Sequence, residues 1–176
     1  GREASQEDLW AYSYLVKLCD MPTVSAIEHP RLPRRYYTVL MRAIRRAAVC
    51  GDVVSCDLGE VYVPDLVPET ADRLAAAESV RWSIVAGEYG DDIYASLRVN
   101  DRRCSAGKVA SEVIEKYPHG SAGGHGSMAG MRIPYTPGTK SRRGRTSARR
   151  KLLRVLTLAT GVDPTAKAEP FAPPDE

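Results

Sequence analysis

No stretch of this sequence approaches the roughly 18 consecutive apolar residues that a membrane-spanning helix needs. Its opening, Gly-Arg-Glu-Ala-Ser-Gln-Glu-Asp, is polar and charged, so no secretory leader is expected there. Histidine is scarce, with three in 176 residues. His29 and His119 each stand beside a proline, as loop residues do. The four cysteines, Cys19, Cys50, Cys56 and Cys104, include no C-x-x-C pair and have no histidine at zinc-finger distance. That argues against a structural zinc motif and leaves free, mostly buried thiols in a reducing compartment, so a cytoplasmic location is expected. The acidic pairs Asp57/Glu60, Asp91/Asp92 and Glu112/Glu115 lack the histidines that would complete a metal site. Signatures of a Ser, Cys or Lys nucleophile are absent as well. Nor does the chain begin with methionine. It opens at Gly1, which fits a processed chain or a part of a longer one.

What is present fits a soluble α/β domain. The apolar fraction of 43% and the charged fraction of 27% are those of a globular chain, and 176 residues suffice for one domain with a helical extension. A net charge of +3 conceals an uneven distribution. Eight basic residues and no acid lie between Lys140 and Arg154, so the remainder is net acidic. Such a block is either an electrostatic footprint for phosphates or a solvated helix face.

The periodicity predicts an ordered series of elements. "SQEDLWAYSYLVKLCDMP" reads as a helix with a Ser5/Asp8 capping box, ended by Met21-Pro22. A short helix over 23–28 follows. "RRYYTVLMRAIRRAAVCGD" reads as a helix with Tyr37, Leu40, Met41, Ile44 and Ala48 on its core side, stopped by Gly51. Val53 to Gly59 reads as a strand, and "ETADRLAAAES" as a helix. Val80–Glu88 and Ile93–Val99 read as a hairpin about Gly90-Asp91-Asp92. A helix capped by Ser105 comes next, then a glycine loop, a candidate strand after it and a helix over "TSARRKLLRVLTLATG". This order predicts an α/β fold, a mixed β-sheet flanked by helices and preceded by a helical linker. The boundaries expected are a linker over 1–50, a substrate-binding domain over 51–160 and a disordered tail over 161–176.

The segment "GSAGGHGSMAGMRIP" carries the most chemistry. Glycine reaches φ > 0 and lets other atoms approach the main chain closely. A run of glycines can turn N–H groups inward as an anion-binding nest, and His125 adds a donor near it. Ser96 and Arg98 alternate on a predicted strand and so share a face, where a forked guanidinium suits a phosphate. The excursion from that strand through a helix to the loop can bring Arg98 and His125 to one sheet edge. The alternatives are a flexible connection whose histidine points to water and a solvated strand face.

At "GGHGSMAGMRIP" the sequence resembles the Gly-Gly-Gly-His-x-x-Ala-Ala-Gly motif in the C-terminal, DHH-associated domain of DHH-type phosphoesterases. These include RecJ-like single-strand exonucleases and the oligoribonuclease and pAp phosphatases. Ala122 stands at the first glycine, Gly123, Gly124, His125, Ala129 and Gly130 match, and Met128 replaces a small residue. "YASLRVN" is similar to the family's Ser-x-Arg strand, which puts Ser96 and Arg98 in the matching places. The similarity runs from about Val53 to Pro134, and "DLWAYSYLVKLCDMPTVSAIEHP" looks like the family's interdomain linker. A related domain ends alanyl-tRNA synthetases, where no histidine is expected at this place.

The resemblance implies the substrate-binding half of a manganese-dependent hydrolase. Two Mn²⁺ ions and the Asp-His-His motif belong to an N-terminal domain, and no Asp-His-His occurs here, so this chain alone is expected to be inactive. Ser96, Arg98, Gly123, Gly124, His125, Gly126, Ala129 and Gly130 would bind the phosphate of the substrate. The expected partners are short RNA, single-stranded DNA or a phosphorylated nucleotide, the N-terminal DHH domain and a second copy in a homodimer, with no membrane. The alternative is a non-catalytic nucleic-acid-binding or regulatory domain, with the basic block as its footprint.

Overall fold

The computed structural model describes residues 4–136, 138–139, 141–163 and 165–172. The chain divides into two compact units, residues 1–36 and 37–176. In the first, helix α1 spans Gln6–Leu15 and carries the expected capping box: the Asp8 N–H donates to the Ser5 hydroxyl, and the Ser5 N–H donates to the Asp8 carboxylate at 2.8 Å. The helix stops well before Met21-Pro22. Pro22 instead sits in the first turn of α2 (Met21–Glu28), where its missing N–H leaves no donor unused. Neither helix buries a residue.

Helix α3 (Arg34–Arg46) leads into the second unit. The sequence predicts a core side of Tyr37, Leu40, Met41 and Ile44, but Tyr37 and Met41 are about half exposed. The buried stripe is Tyr36, Val39, Ala43 and Ala47. Both stripes fit a period of 3.6, and at Ala43 the small side chain lets the helix come close to the sheet, where the Cys56 thiol donates to the Ala43 carbonyl. Nor does the helix continue to Gly51. Ala48–Cys50 form strand β1, and Gly51, at φ +62°, turns the chain into β2 (Val53–Glu60).

Helix α4 (Leu66–Ala75) then crosses to β3 (Trp82–Tyr89), which runs parallel to β2. A two-residue turn at Gly90-Asp91 joins β3 to β4 (Asp92–Val99), as the hairpin reading anticipates. Helix α5 (Ala106–Ile114) is capped by the Ser105 hydroxyl accepting from the Lys108 N–H. Strands β5 (Ser121–His125) and β6 (Met128–Pro134) follow, then α6 (Arg142–Ala159) and β7 (Glu169–Pro170). All pairings but β2 with β3 are antiparallel, in the order β5-β6-β4-β3-β2-β1-β7.

The sheet is covered on both faces. Trp82, Ile84, Ala86, Ala95, Leu97, Ala129, Met131 and Ile133 point to one side and pack against α5 and α6. Leu97, Leu152 and Leu156 are fully buried there, so truncating any of them to alanine costs about 2–5 kcal/mol. The opposite side carries Ser83, Val85 and Ser96, and α4 packs over it.

Residues 161–176 were expected to be disordered, yet the described part is ordered. Glu169 and Pro170 pair with Val49 and Ala48, the Phe171 N–H donates to the Ala47 carbonyl, and the Cys50 thiol donates to the Ala166 carbonyl. This segment covers the edge that β1 would otherwise expose. Residues 173–176 lie outside the described residues. The cysteines are free but less buried than expected: Cys56 is buried, Cys50 and Cys104 are half-buried and Cys19 is exposed.

Candidate anion-binding site

The expected glycine loop is a β-hairpin. His125 pairs with Met128 across a two-residue turn, Gly126-Ser127, with Gly126 at φ +41°. Its amides therefore serve a strand ladder and do not form the inward-facing nest. Glycine is needed at Gly124 for space: a Cβ there would lie 2.4 Å from the Met128 carbonyl oxygen and 2.5 Å from the Ala129 Cα. Gly107 of α5 packs on the same stretch, since its own Cβ would sit 2.8 Å from the Gly124 carbonyl oxygen. Gly123 and Gly130 differ. A Cβ on either would point into open space.

Strand register brings the other residues together. Arg98 pairs with Met128, and Met128 with His125, so the three form one row on one face of the sheet. The next row is Ser96, Gly130 and Gly123. Two strand spacings separate the Arg98 and His125 backbones, about 10 Å. Met128, half exposed, stands between them in that row, and the two open glycines form a floor of bare main chain in the adjoining row on the same face. His125 occupies the outer strand and also borders a shallow cavity of about 340 Å³ with Ser105, Lys108 and Ser111 of the α5 side.

The side chains differ in what they offer. Arg98 is held by its own neighbours. Its Nε donates to the Asp72 carboxylate at 2.5 Å and one terminal nitrogen to the other Asp72 oxygen at 3.2 Å. The second terminal nitrogen donates to the Ser96 hydroxyl at 2.7 Å and to the Leu97 carbonyl. Ser96 is 2% exposed and orients the guanidinium from below, so it does not reach the open floor. Ala129 is buried on the helix-covered face and supports the hairpin from behind. Gly126 makes the turn, and its carbonyl accepts from the Ala106 N–H at 2.8 Å. Gly123, Gly124, His125, Gly126 and Gly130 are exposed, and of these Gly123, Gly130 and His125 lie on the face that carries Arg98 and Ser96.

Sequence reasoning missed Asp72, whose partner lies 26 positions away on another element. It also missed Ser83, which pairs with Arg98 in register and whose buried hydroxyl has no partner among the described residues. A second missed feature lies at the far end of β3. Arg149, buried at 4% exposure, ion-pairs with Asp57 at 2.7 Å and with Glu88, and donates to the Tyr135 hydroxyl. Arg145 joins it through Glu88 at 2.8 Å and Asp91 at 2.7 Å and lies over the Tyr135 ring. Burial pushes the Tyr135 phenol up to about 12, against the pull of Arg149. Two of the eight basic residues that the sequence offered as a phosphate footprint are thus engaged within the fold. No group of three His, Cys, Asp or Glu side chains able to hold a metal occurs among the described residues, so these residues do not fit a manganese ion.

Comparison with known proteins identifies the family. The DHHA1 domain model matches residues 51–153. An uncharacterised protein of Methanocaldococcus jannaschii is 31% identical over 134 residues, which are 76% of this chain and 27% of that protein. The chain thus spans about a quarter of the length of that relative. The crystal structure of an exopolyphosphatase-related protein from Bacteroides fragilis superposes with a TM-score of 0.59 at 16% identity, over 89% of this chain and 45% of that one. The C-Ala domain of Aquifex aeolicus alanyl-tRNA synthetase gives a TM-score of 0.42 at 21% identity over 61% of this chain and 97% of that domain. The strand bearing Ser96 and Arg98, the helix packed through Gly107 and the Gly-Gly-His hairpin all lie within the matched span, and that match over more than half of the chain places it in the DHHA1 domain family.

Proposed function

We propose that this chain is the substrate-binding half of a DHH-type, manganese-dependent phosphoesterase, and that the hairpin face receives the phosphate of a short oligonucleotide or a phosphorylated nucleotide. The observation that carries the reading is the shared row of Arg98 and His125 beside the open floor of Gly123 and Gly130. A phosphate resting on that floor meets main chain at close range, an imidazole on one side and a guanidinium on the other. Asp72 keeps the guanidinium in place while the site is empty and competes for it when an anion arrives. The ions and the attacking water belong to the DHH domain, where two metals would activate water for attack on phosphorus. This chain's own residues bind and orient.

Calorimetric titration of the chain with a nucleoside monophosphate tests the reading. His125→Ala is expected to weaken binding by about tenfold, the worth of one lost charge-assisted hydrogen bond. Asp72→Asn removes the competing carboxylate and is expected to tighten binding by about threefold or more. Joined to its DHH domain with Mn²⁺, the His125→Ala protein should lose turnover on a short oligoribonucleotide. Equal affinity in wild type, His125→Ala and Asp72→Asn would end the assignment.

A further inference from the structure

The arginines of α6 that stay outside the Arg149 network have a setting of their own. They form one wall of an open cavity of about 1400 Å³ bounded also by α3 and the far end of β2. Seven arginines and four carboxylates line it among the described residues. Asp57 and Glu88 are already matched by Arg149 and Arg145. That leaves Glu60 and Asp163 against five other arginines: Arg42, Arg46, Arg142, Arg150 and Arg154.

These five are not neutralised. Arg42 donates to the Leu58 and Glu60 carbonyls, and Arg46 to those of Asp57 and Leu58. These are main-chain oxygens of the part of β2 that the three-residue β1 does not reach. The bonds hold the guanidinium groups in place and leave their charge intact. Arg142, Arg150 and Arg154 make no hydrogen bond or ion pair among the described residues. Arg42 and Arg46 stand one helical turn apart on α3, and Arg150 and Arg154 one turn apart on α6. Like charges at that spacing repel. Two such pairs on opposite walls of one cavity form a positive field that an anion relieves.

Size and chemistry narrow the ligand. Pockets for small molecules hold about 300–1,000 Å³, and this one is larger and open along its length. A single phosphate or mononucleotide would engage one wall and leave the other unmatched. The walls also include Leu158 and Val162, which is apolar surface between the cationic groups. An extended strand with phosphates at regular intervals and flat bases between them matches both features. Inorganic polyphosphate matches only the charge.

We infer that this cleft is a second site, which binds a single-stranded nucleic acid with Arg42, Arg46, Arg142, Arg150 and Arg154 on its phosphates. It is separate from the hairpin face. Glu88 marks this end of β3, and Ser83, opposite Arg98, lies five residues back, about 17 Å along the strand and on the other side of the sheet. The inference stands whether or not the hairpin takes a phosphate.

Fluorescence anisotropy of the 176-residue chain with a labelled oligouridylate tests it. Each phosphate contact to a single strand contributes about 0.7 to the salt dependence, so five contacts give a log–log slope of about −3.5. Arg150→Glu with Arg154→Glu is expected to weaken binding by tenfold or more and to flatten the slope. Both side chains are exposed, so the fold should survive, and an unchanged melting temperature checks that. Arg42→Gln with Arg46→Gln serves as the independent variant on the other wall. Three outcomes overturn the inference: RNA binding indifferent to both arginine pairs, RNA binding abolished by His125→Ala alone, or binding of inorganic polyphosphate through these arginines with none of RNA.

Discussion

Gly107 and Gly130 both lie against the hairpin, and a methyl group means opposite things at the two positions. At Gly107 it would collide with main-chain atoms of Gly124 and His125, which cannot rotate away. Gly107→Ala is expected to cost about 1–3 kcal/mol and to lower the melting temperature by several degrees. At Gly130 it would enter open space, so Gly130→Ala should change stability by no more than about 0.5 kcal/mol while obstructing the floor and weakening anion binding. Thermal melting and calorimetric titration of the two variants separate packing from recognition. At this scale the sequence was partly legible. Arg98 and His125 were found from alternation along a strand and from a histidine among glycines, and both are short-range signals. Asp72 left no such trace, because an acid on the polar side of a helix looks the same whether it meets water or an arginine 26 residues on.

The arginine network shows the same limit among whole elements. Alternation correctly identified β3, and periodicity found α6, although its start was expected near Thr146 and lies at Arg142 under a Ser141 cap. What neither could reveal is that Glu88, at the end of one, seats Arg145 and Arg149 of the other. A run of basic residues carries no mark of which members turn inward. Arg149→Met tests the cost of that seat. It leaves the Asp57 and Glu88 carboxylates poorly paired in a half-buried place, so a loss of about 3 kcal/mol is expected in chemical denaturation. Arg150→Met, on the exposed side of the same helix, should move the midpoint little. The glycine segment was misread as a loop because glycine weakens any strand pattern. The C-terminal segment was misread as disordered because its pairing is with β1, more than 100 positions away, and no local pattern announces it.

Across the whole domain, the order of elements was enough to predict an α/β sheet with helices on both sides. A single crossover helix between β2 and β3 imposes their parallel pairing, and hairpin turns impose the antiparallel pairings of β1 with β2, β3 with β4 and β5 with β6. The stability of this assembly should fall in alkali. Burial, aided by the Asp57 charge, lifts the Cys56 thiol from 9.0 to about 12, and burial lifts the Tyr135 phenol from 10.0 to about 12. Both are acids whose folded form holds its proton longer than the unfolded chain does. Their contribution is therefore complete below about pH 9 and is lost as the pH climbs towards 12. Denaturant midpoints measured from neutrality to about pH 11 should decline, and Cys56→Ala should shift the onset of the decline upward.

The turn at Gly126-Ser127 bears on how a guest would be received. Its two carbonyls are already taken, one by the Ala106 N–H at the start of α5 and the other by the Val99 N–H at the end of β4. The tip of the hairpin is moored at both sides before anything arrives. A visiting phosphate would spend little of its attraction on stilling a mobile segment, and its grip would reflect the chemistry of contact more than the expense of organising the host.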